Sequence, residues 1–421
     1  MSGMRATLLL ATTLLAAGGC VVERPARTET ELVERRAALR EEVMRGRDAL
    51  SHQLVARLVH EQDEEAAGGE PAVLDVLILS GGGEYGAFGA GFLEGWASVS
   101  EPGFQRPEFD VVTGVSTGAL IAPLAFVGTN ESYRLGYELY SNPRGDWFRK
   151  RGLVSFLLRR ESFTDNAGLR RDVEGAVSRD MIRQIAAGAA DNRVLMIGTT
   201  NVDMGMLVMW DAALISSRIE SGEREAGMLY DVLMASTAIP GVFPPVEIDG
   251  DLYVDGGVLR NIAYTTDQDY SGSALSIWMR EHADRPGPRL RLWVIINNPL
   301  ASPEQNTGPD WPSLAARSLE LSIRSSMLGS LSALSASMRL MNATTPFQAE
   351  FRFVAVPDEW RPLVEGQFQK ENMAALAELG RAMGADPSSW QTRVPNPESP
   401  ATGAGAPSVR IDRTAHQGEA P

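Results

Sequence analysis

The residues Gly114-Val115-Ser116-Thr117-Gly118 form a G-x-S-x-G pattern between two runs of different character. Phe109–Thr113 before it reads as a buried strand, and Thr117–Val127 after it reads as a helix. That placement suits a serine nucleophile. The hydroxyl must stand out from a sharp, strained strand-to-helix turn, and small residues two positions to either side let the flanking segments pass closely. The helix N-terminus adds unpaired N–H groups and the positive end of a dipole where negative charge would develop.

A second cluster, Gly81-Gly82-Gly83-Glu84-Tyr85-Gly86, directly follows an apolar run. Consecutive glycines allow a turn whose N–H groups converge on an anion. Two chemistries fit. Gly81, Gly82, Gly83 and Glu84 can form an oxyanion hole for a tetrahedral intermediate. Gly81, Gly83 and Gly86 also satisfy the G-x-G-x-x-G of a dinucleotide loop. However, no clean second strand ending in Asp or Glu follows at the expected distance, which favours the oxyanion hole.

The third motif is Asp255-Gly256-Gly257, preceded by Leu252-Tyr253-Val254. Asp-Gly is also an ordinary turn sequence, but the histidines give it further meaning. A Ser-His-Asp triad needs a histidine near the serine, and the chain has only four. His52 and His60 lie in a charged N-terminal helix, His416 lies in the C-terminal tail, and His282 sits in a polar stretch. A carboxylate must then take the Ser116 proton directly, and Asp255 is the best placed. An ordinary Asp, with pKa near ~3.9, is a weak base for a serine. Asp255 is therefore expected in a closed, mostly apolar site that raises its pKa.

The elements that must position these residues follow from the apolar pattern. Val73–Leu79, Val194–Thr200, Leu290–Ile296 and Phe351–Val356 read as strands buried on both faces. Helical patterns intervene at Gly86–Ser98, Tyr230–Ala238, Trp311–Met341 and Lys370–Met383. Alternation of this kind predicts an α/β fold, a three-layer sandwich around a mainly parallel central sheet, over residues 71–390. Before it, residues 20–70 carry a charged helix and a linker. Leu32, Leu39, Val43, Leu50, Leu54 and Leu58 make one apolar stripe there, suited to packing on the main domain, to a spacer or to a coiled coil. Residues 391–421 are Pro-, Gly- and Ser-rich and read as a disordered tail.

The formal charge of -15 argues against a nucleic-acid backbone as partner. No metal-ligand pattern such as H-E-x-x-H or an EF-hand loop is present, and no cofactor is expected. The N-terminus has Arg5, a short apolar run to Ala17, then Gly18-Gly19-Cys20. This reads as a signal peptide over residues 1–19. The lone cysteine right after it resembles the lipidated Cys of bacterial lipoproteins, which implies export and an outer-membrane anchor. Residues 147–160, where Trp147, Phe148 and Phe156 mix with five basic residues, suit interfacial docking or a lid over the acyl groove, and equally a surface helix whose apolar side packs on the core. Nothing in the sequence specifies an oligomer.

Together the three motifs resemble the patatin-like phospholipase family. The resemblance spans roughly Val73 to Met383, and Ala235–Pro245 and Asn261 extend it. It implies a Ser116–Asp255 dyad, an oxyanion hole at Gly81–Glu84 and motif glycines at Gly86, Gly114, Gly118, Gly256 and Gly257. It also implies cleavage of lipid carboxylic esters through an acyl-enzyme. One position departs from the family pattern: Tyr85 stands where Arg or Lys is usual. A basic side chain that could neutralise a phospholipid phosphate is thus missing. A non-catalytic lipid-binding or scaffolding lipoprotein and an acyltransferase remain open on the same residues.

Overall fold

The computed structural model describes residues 26–65, 71–147, 149–150, 164–264, 272–302 and 304–395. The signal-peptide region, Cys20, Phe148, residues 151–160 of the aromatic and basic stretch and the tail from 396 lie outside the described residues.

The described residues open with a 37-residue helix, α1 (Glu29–Glu65). Then come β1 (Val73–Leu79), α2 (Gly86–Trp96), β2 (Val111–Val115), α3 (Thr117–Val127) and α4 (Asn130–Ser141). A small hairpin of β3 (Arg149–Lys150) and β4 (Thr164–Asp165) precedes α5 (Ala167–Ala176) and α6 (Arg179–Ala190). Next are β5 (Val194–Asn201), β6 (Met206–Asp211), α7 (Ala212–Glu220), α8 (Gly227–Ser236), β7 (Val246–Ile248) and β8 (Asp251–Asp255). The order ends with α9 (Ala274–Glu281), β9 (Arg289–Pro299), α10 (Trp311–Thr344), β10 (Gln348–Val356) and α11 (Lys370–Gly384).

Eight strands form one sheet in the order β10-β9-β1-β2-β5-β8-β7, with β6 also paired to β5. β10, β9, β1, β2 and β5 run parallel, while β6, β7 and β8 pair antiparallel. The apolar strands are buried on both faces because alternate residues feed two cores. Leu77, Leu79, Val112 and Ile197 pack with Phe88, Phe92, Phe126 and Leu233 on one face. Val76, Ile78, Val111 and Val194 pack with Leu58 of α1, Trp278 of α9 and Leu331 of α10 on the other. The result is a three-layer α/β/α sandwich with an N-terminal helix laid on its second face.

One difference from the sequence expectation, and one alternative it left open, have a plain cause in the packing. β2 begins at Val111 rather than Phe109 because Asp110 is occupied by β1: its carboxylate accepts the Asp75 N–H at 2.7 Å, and its own N–H donates to the Asp75 carbonyl. Trp147, which suited either a membrane surface or core packing, is buried. Its indole N–H donates to Asp172 at 2.6 Å and its ring meets Tyr140 edge-on.

The sheet positions the site through one irregularity. β6 covers one edge of β5 along Met196–Asn201. β2 and β8 therefore share the other edge, β2 along Val194–Gly198 and β8 along Thr199–Asn201. β2 is parallel to β5 and β8 antiparallel, so their C-terminal ends meet head-on, with Val115 beside Gly198 and Asp255 beside Thr199. Residues 116 and 255, distant in sequence, are thereby neighbours.

Candidate active site

Ser116 sits at the point where β2 turns into α3. Its φ is 54° and ψ is -126°, a left-handed region that a non-glycine residue adopts only under constraint. Ser236, at the end of α8, supplies part of that constraint. Its Oγ accepts the Ser116 N–H at 2.9 Å and donates to the Gly198 carbonyl at 2.7 Å, tying the turn to β5. The flanking glycines permit the close passage. A Cβ on Gly118 would lie 2.4 Å from the Leu79 carbonyl oxygen. Gly114 faces the Gly118 backbone, and Gly86 of α2 packs on the Thr117 side chain.

Asp255 is 5% exposed and ends β8. Its Oδ1 accepts the Gly257 N–H at 2.7 Å, while Oδ2 is buried without a hydrogen-bond partner. Burial pushes its pKa up to about 6, with the neighbouring Ser116 hydroxyl and the Gly257 N–H pulling the other way. The Ser116 side chain therefore feels the carboxylate while stopping short of a full hydrogen bond to Oδ2. Gly256 packs on the Gly198 carbonyl and on Val115, which holds the two strand ends together.

The glycine loop closes the site from β1. The Gly81 α-carbon approaches Ser116: a Cβ there would fall 2.9 Å from the serine Cβ. The Gly81 N–H donates to the Asn261 carbonyl at 3.3 Å, so this glycine is committed to holding the loop. Gly83 and Glu84 open a 3-10 turn and have no carbonyl behind them within it to take their N–H groups. Gly82, Gly83 and Glu84 thus carry N–H groups without a backbone partner among the described residues. Three asparagines fix the loop. Asn298 donates to the Gly81 carbonyl at 2.9 Å, Asn261 to the same oxygen at 3.5 Å, and Asn297 to the Ser80 carbonyl at 2.8 Å. A Cβ on Gly82 would lie 1.8 Å from the Asn297 carbonyl oxygen, so no larger residue fits there.

The side chains of Glu84 and Tyr85 are engaged by Phe368 and Trp360. The Glu84 carboxylate accepts the Phe368 N–H, and burial raises its pKa. Tyr85 packs edge-on against Trp360, with centroids 5.5 Å apart. Both residues clip the segment between β10 and α11 onto the glycine loop.

Reading the sequence alone missed Asn297, Asn298, Gly198 and the role of Phe368. The asparagine pair carried a signal: two amides at the carboxyl end of a parallel strand lie where α/β folds place their sites. Gly198 and Phe368 carried none.

Residues 77–266 match the family model described as patatin-like phospholipase. This segment holds the serine turn, the glycine loop and the D-G-G aspartate, and residues 77–266 are thereby a patatin-like phospholipase domain. The chain is 25% identical over 226 residues to an uncharacterized protein of Acanthamoeba polyphaga mimivirus, covering 53% of this chain and 71% of that protein. It is also similar to the crystal structure of VipD from Legionella pneumophila, with a TM-score of 0.33 and 12% identity. That likeness covers 76% of this chain and 67% of that one.

Proposed function

We propose that this protein is a carboxylic ester hydrolase acting on lipid esters, with Ser116 as nucleophile and Asp255 as general base and acid. The observation that carries this reading is the head-on meeting of β2 and β8. It sets a strained serine beside a buried carboxylate whose Oδ2 lacks a partner. Asp255 takes the Ser116 proton as Oγ bonds to the ester carbonyl carbon. The N–H groups of Gly82, Gly83 and Glu84 receive the oxyanion. The C–O bond to the alcohol breaks, and Asp255 returns its proton to the leaving oxygen. Water then gives a proton to Asp255 as its oxygen bonds to the acyl carbon; the bond from that carbon to Oγ breaks and Asp255 passes the proton to Oγ, which frees the acid and restores the serine.

No histidine among the described residues joins this arrangement, so the raised pKa of Asp255 matters. A carboxylate near 6 is a stronger base than an ordinary one and is still ionised at neutral pH. Tyr85, turned toward Trp360, offers no cation to a phosphate, so simple carboxylic esters suit the site better than phospholipids do. Export with Cys20 as the lipid-anchored residue belongs to the same proposal, on the strength of the Gly18-Gly19-Cys20 sequence. The test is turnover of short-chain nitrophenyl esters, acylglycerols and phospholipid vesicles by the wild type, Ser116→Ala and Asp255→Asn. The reading requires wild-type turnover that both variants lose. Activity that survives in either variant removes the dyad, and a wild type inert on all three substrates favours a lipid-binding protein on this fold.

A further inference from the structure

Between α1 and the second face of the sheet lies a cavity of about 1590 Å3, partly open to solvent. Along α1 it is lined from Arg35 to Leu58, a span of about 35 Å at 1.5 Å per residue. Val76, Val111 and Met196 form its floor, and Trp278 of α9 and Leu334 of α10 form further walls. Charge pins α1 over it toward both ends. Arg27 and Arg35 pair with Asp251 at 2.5 and 3.1 Å, Arg57 with Asp110 at 2.9 Å, and Asp63 with Arg285 at 2.7 Å. Between these clamps the helix does not seal the sheet. Gly46 of α1 and Gly329 of α10 both line the cavity, and a Cβ on either would meet nothing within 4 Å.

Protein interiors are close-packed, and ligand pockets commonly measure about 300–1,000 Å3. A larger, mainly apolar space with a charged rim, running under one helix, fits an extended alkyl chain with a polar head better than a compact ring system. Its charge also points to a class of ligand. Arg218, Arg224 and Arg260 line the cavity, are exposed, and make no ion pair among the described residues; of these, Arg260 lies five residues past Asp255, in the same segment as Tyr264. Tyr264 lines it too, and burial pushes its phenol up to about 12, so it stays a neutral hydrogen-bond donor.

We propose that this cavity binds one long-chain carboxylate, with its alkyl chain under α1 and its carboxylate on Arg260. The site is separate from the serine, since neither Ser116 nor Asp255 lines it. A long-chain carboxylate is the acid that cleavage of a lipid ester releases. The binding itself does not depend on that reading.

The test is fluorescence titration of the full chain with cis-parinaric acid, with palmitate and hexadecanol as competitors. One saturable site per chain is expected, unchanged in Ser116→Ala and in protein treated with diisopropyl fluorophosphate. Ser330→Trp, which adds bulk to the cavity wall, should raise Kd at least tenfold, and so should Leu54→Arg. A thermal melt of each variant separates lost binding from lost folding, and Ser330→Trp is the milder change. Arg260→Glu should weaken palmitate several-fold and leave hexadecanol unchanged. The proposal fails if no saturable binding occurs, if the fluorophosphate blocks it, or if folded Ser330→Trp and Leu54→Arg bind normally. Equal weakening of palmitate and hexadecanol in Arg260→Glu removes the carboxylate contact. An esterase assay that finds no turnover leaves this titration unaffected.

Discussion

Replacing Asp255 by Asn should make the protein more stable while abolishing turnover. Burial sets the Asp255 pKa at about 6, against an ordinary value of 3.8. The gap is about 2 pH units, and each unit is worth about 1.4 kcal/mol, so keeping this group ionised in the fold costs about 3 kcal/mol. The sign follows from proton binding. Between pH 3.8 and about 6 the folded state holds a proton that the unfolded state has released, so stability falls as pH rises through that window. Asn carries no charge at any pH. Its Oδ1 can still accept the Gly257 N–H, and its amide replaces the partnerless Oδ2 beside Ser116. At pH 8 the variant should therefore be about 3 kcal/mol more stable than wild type, and below pH 4 the two should be equal. Scanning calorimetry at pH 4, 6 and 8 reads the difference. Equal or lower stability of the variant at pH 8, or an advantage that persists at pH 4, would refute the buried-carboxylate reasoning.

Three further outcomes are expected. The kcat/KM on a soluble ester should rise about tenfold per pH unit below about 6 and level off above it, because Asp255 must be ionised to accept the serine proton; a profile flat from pH 4.5 to 8 would contradict this. Ser236→Ala should destabilise the fold by about 1–3 kcal/mol, since the Ser116 N–H and the Gly198 carbonyl both lose their partner. It should also lower kcat more than it raises KM, and kinetics at wild-type level would mean that the turn needs no such tie. Cys20→Ser should move the expressed protein from the membrane to the soluble envelope fraction, and unchanged fractionation would remove the anchor.

Much of the architecture was legible because buried parallel strands are continuous apolar runs. β1 and α3 fall where the pattern put them, and β5, β9 and β10 differ only at their ends. The shorter elements were not legible. β6 and β7 are short antiparallel strands whose partners are set by tertiary pairing, and α4 to α7 fill a stretch with no motif to anchor a reading. Local chemistry exposed Ser116 and Asp255 as candidates, but not their meeting. That depends on β2 and β8 sharing one edge of β5, and no local pattern encodes it. The glycine loop was only half legible. Its N–H groups could be anticipated from Gly81–Gly83, whereas the commitment of the Gly81 N–H to Asn261 comes from a residue 180 positions away. Tyr85 read as a missing cation; in the fold it is a packing residue against Trp360.

The most direct test of the central claim is covalent. Wild type, Ser116→Ala and Asp255→Asn are incubated with a fluorophosphonate at pH 8, and the adduct is located by peptide mass spectrometry. The account predicts one adduct per wild-type chain, on Ser116, none in Ser116→Ala, and labelling slowed at least a hundredfold in Asp255→Asn. An adduct on another serine, or Asp255→Asn labelling at the wild-type rate, would contradict it.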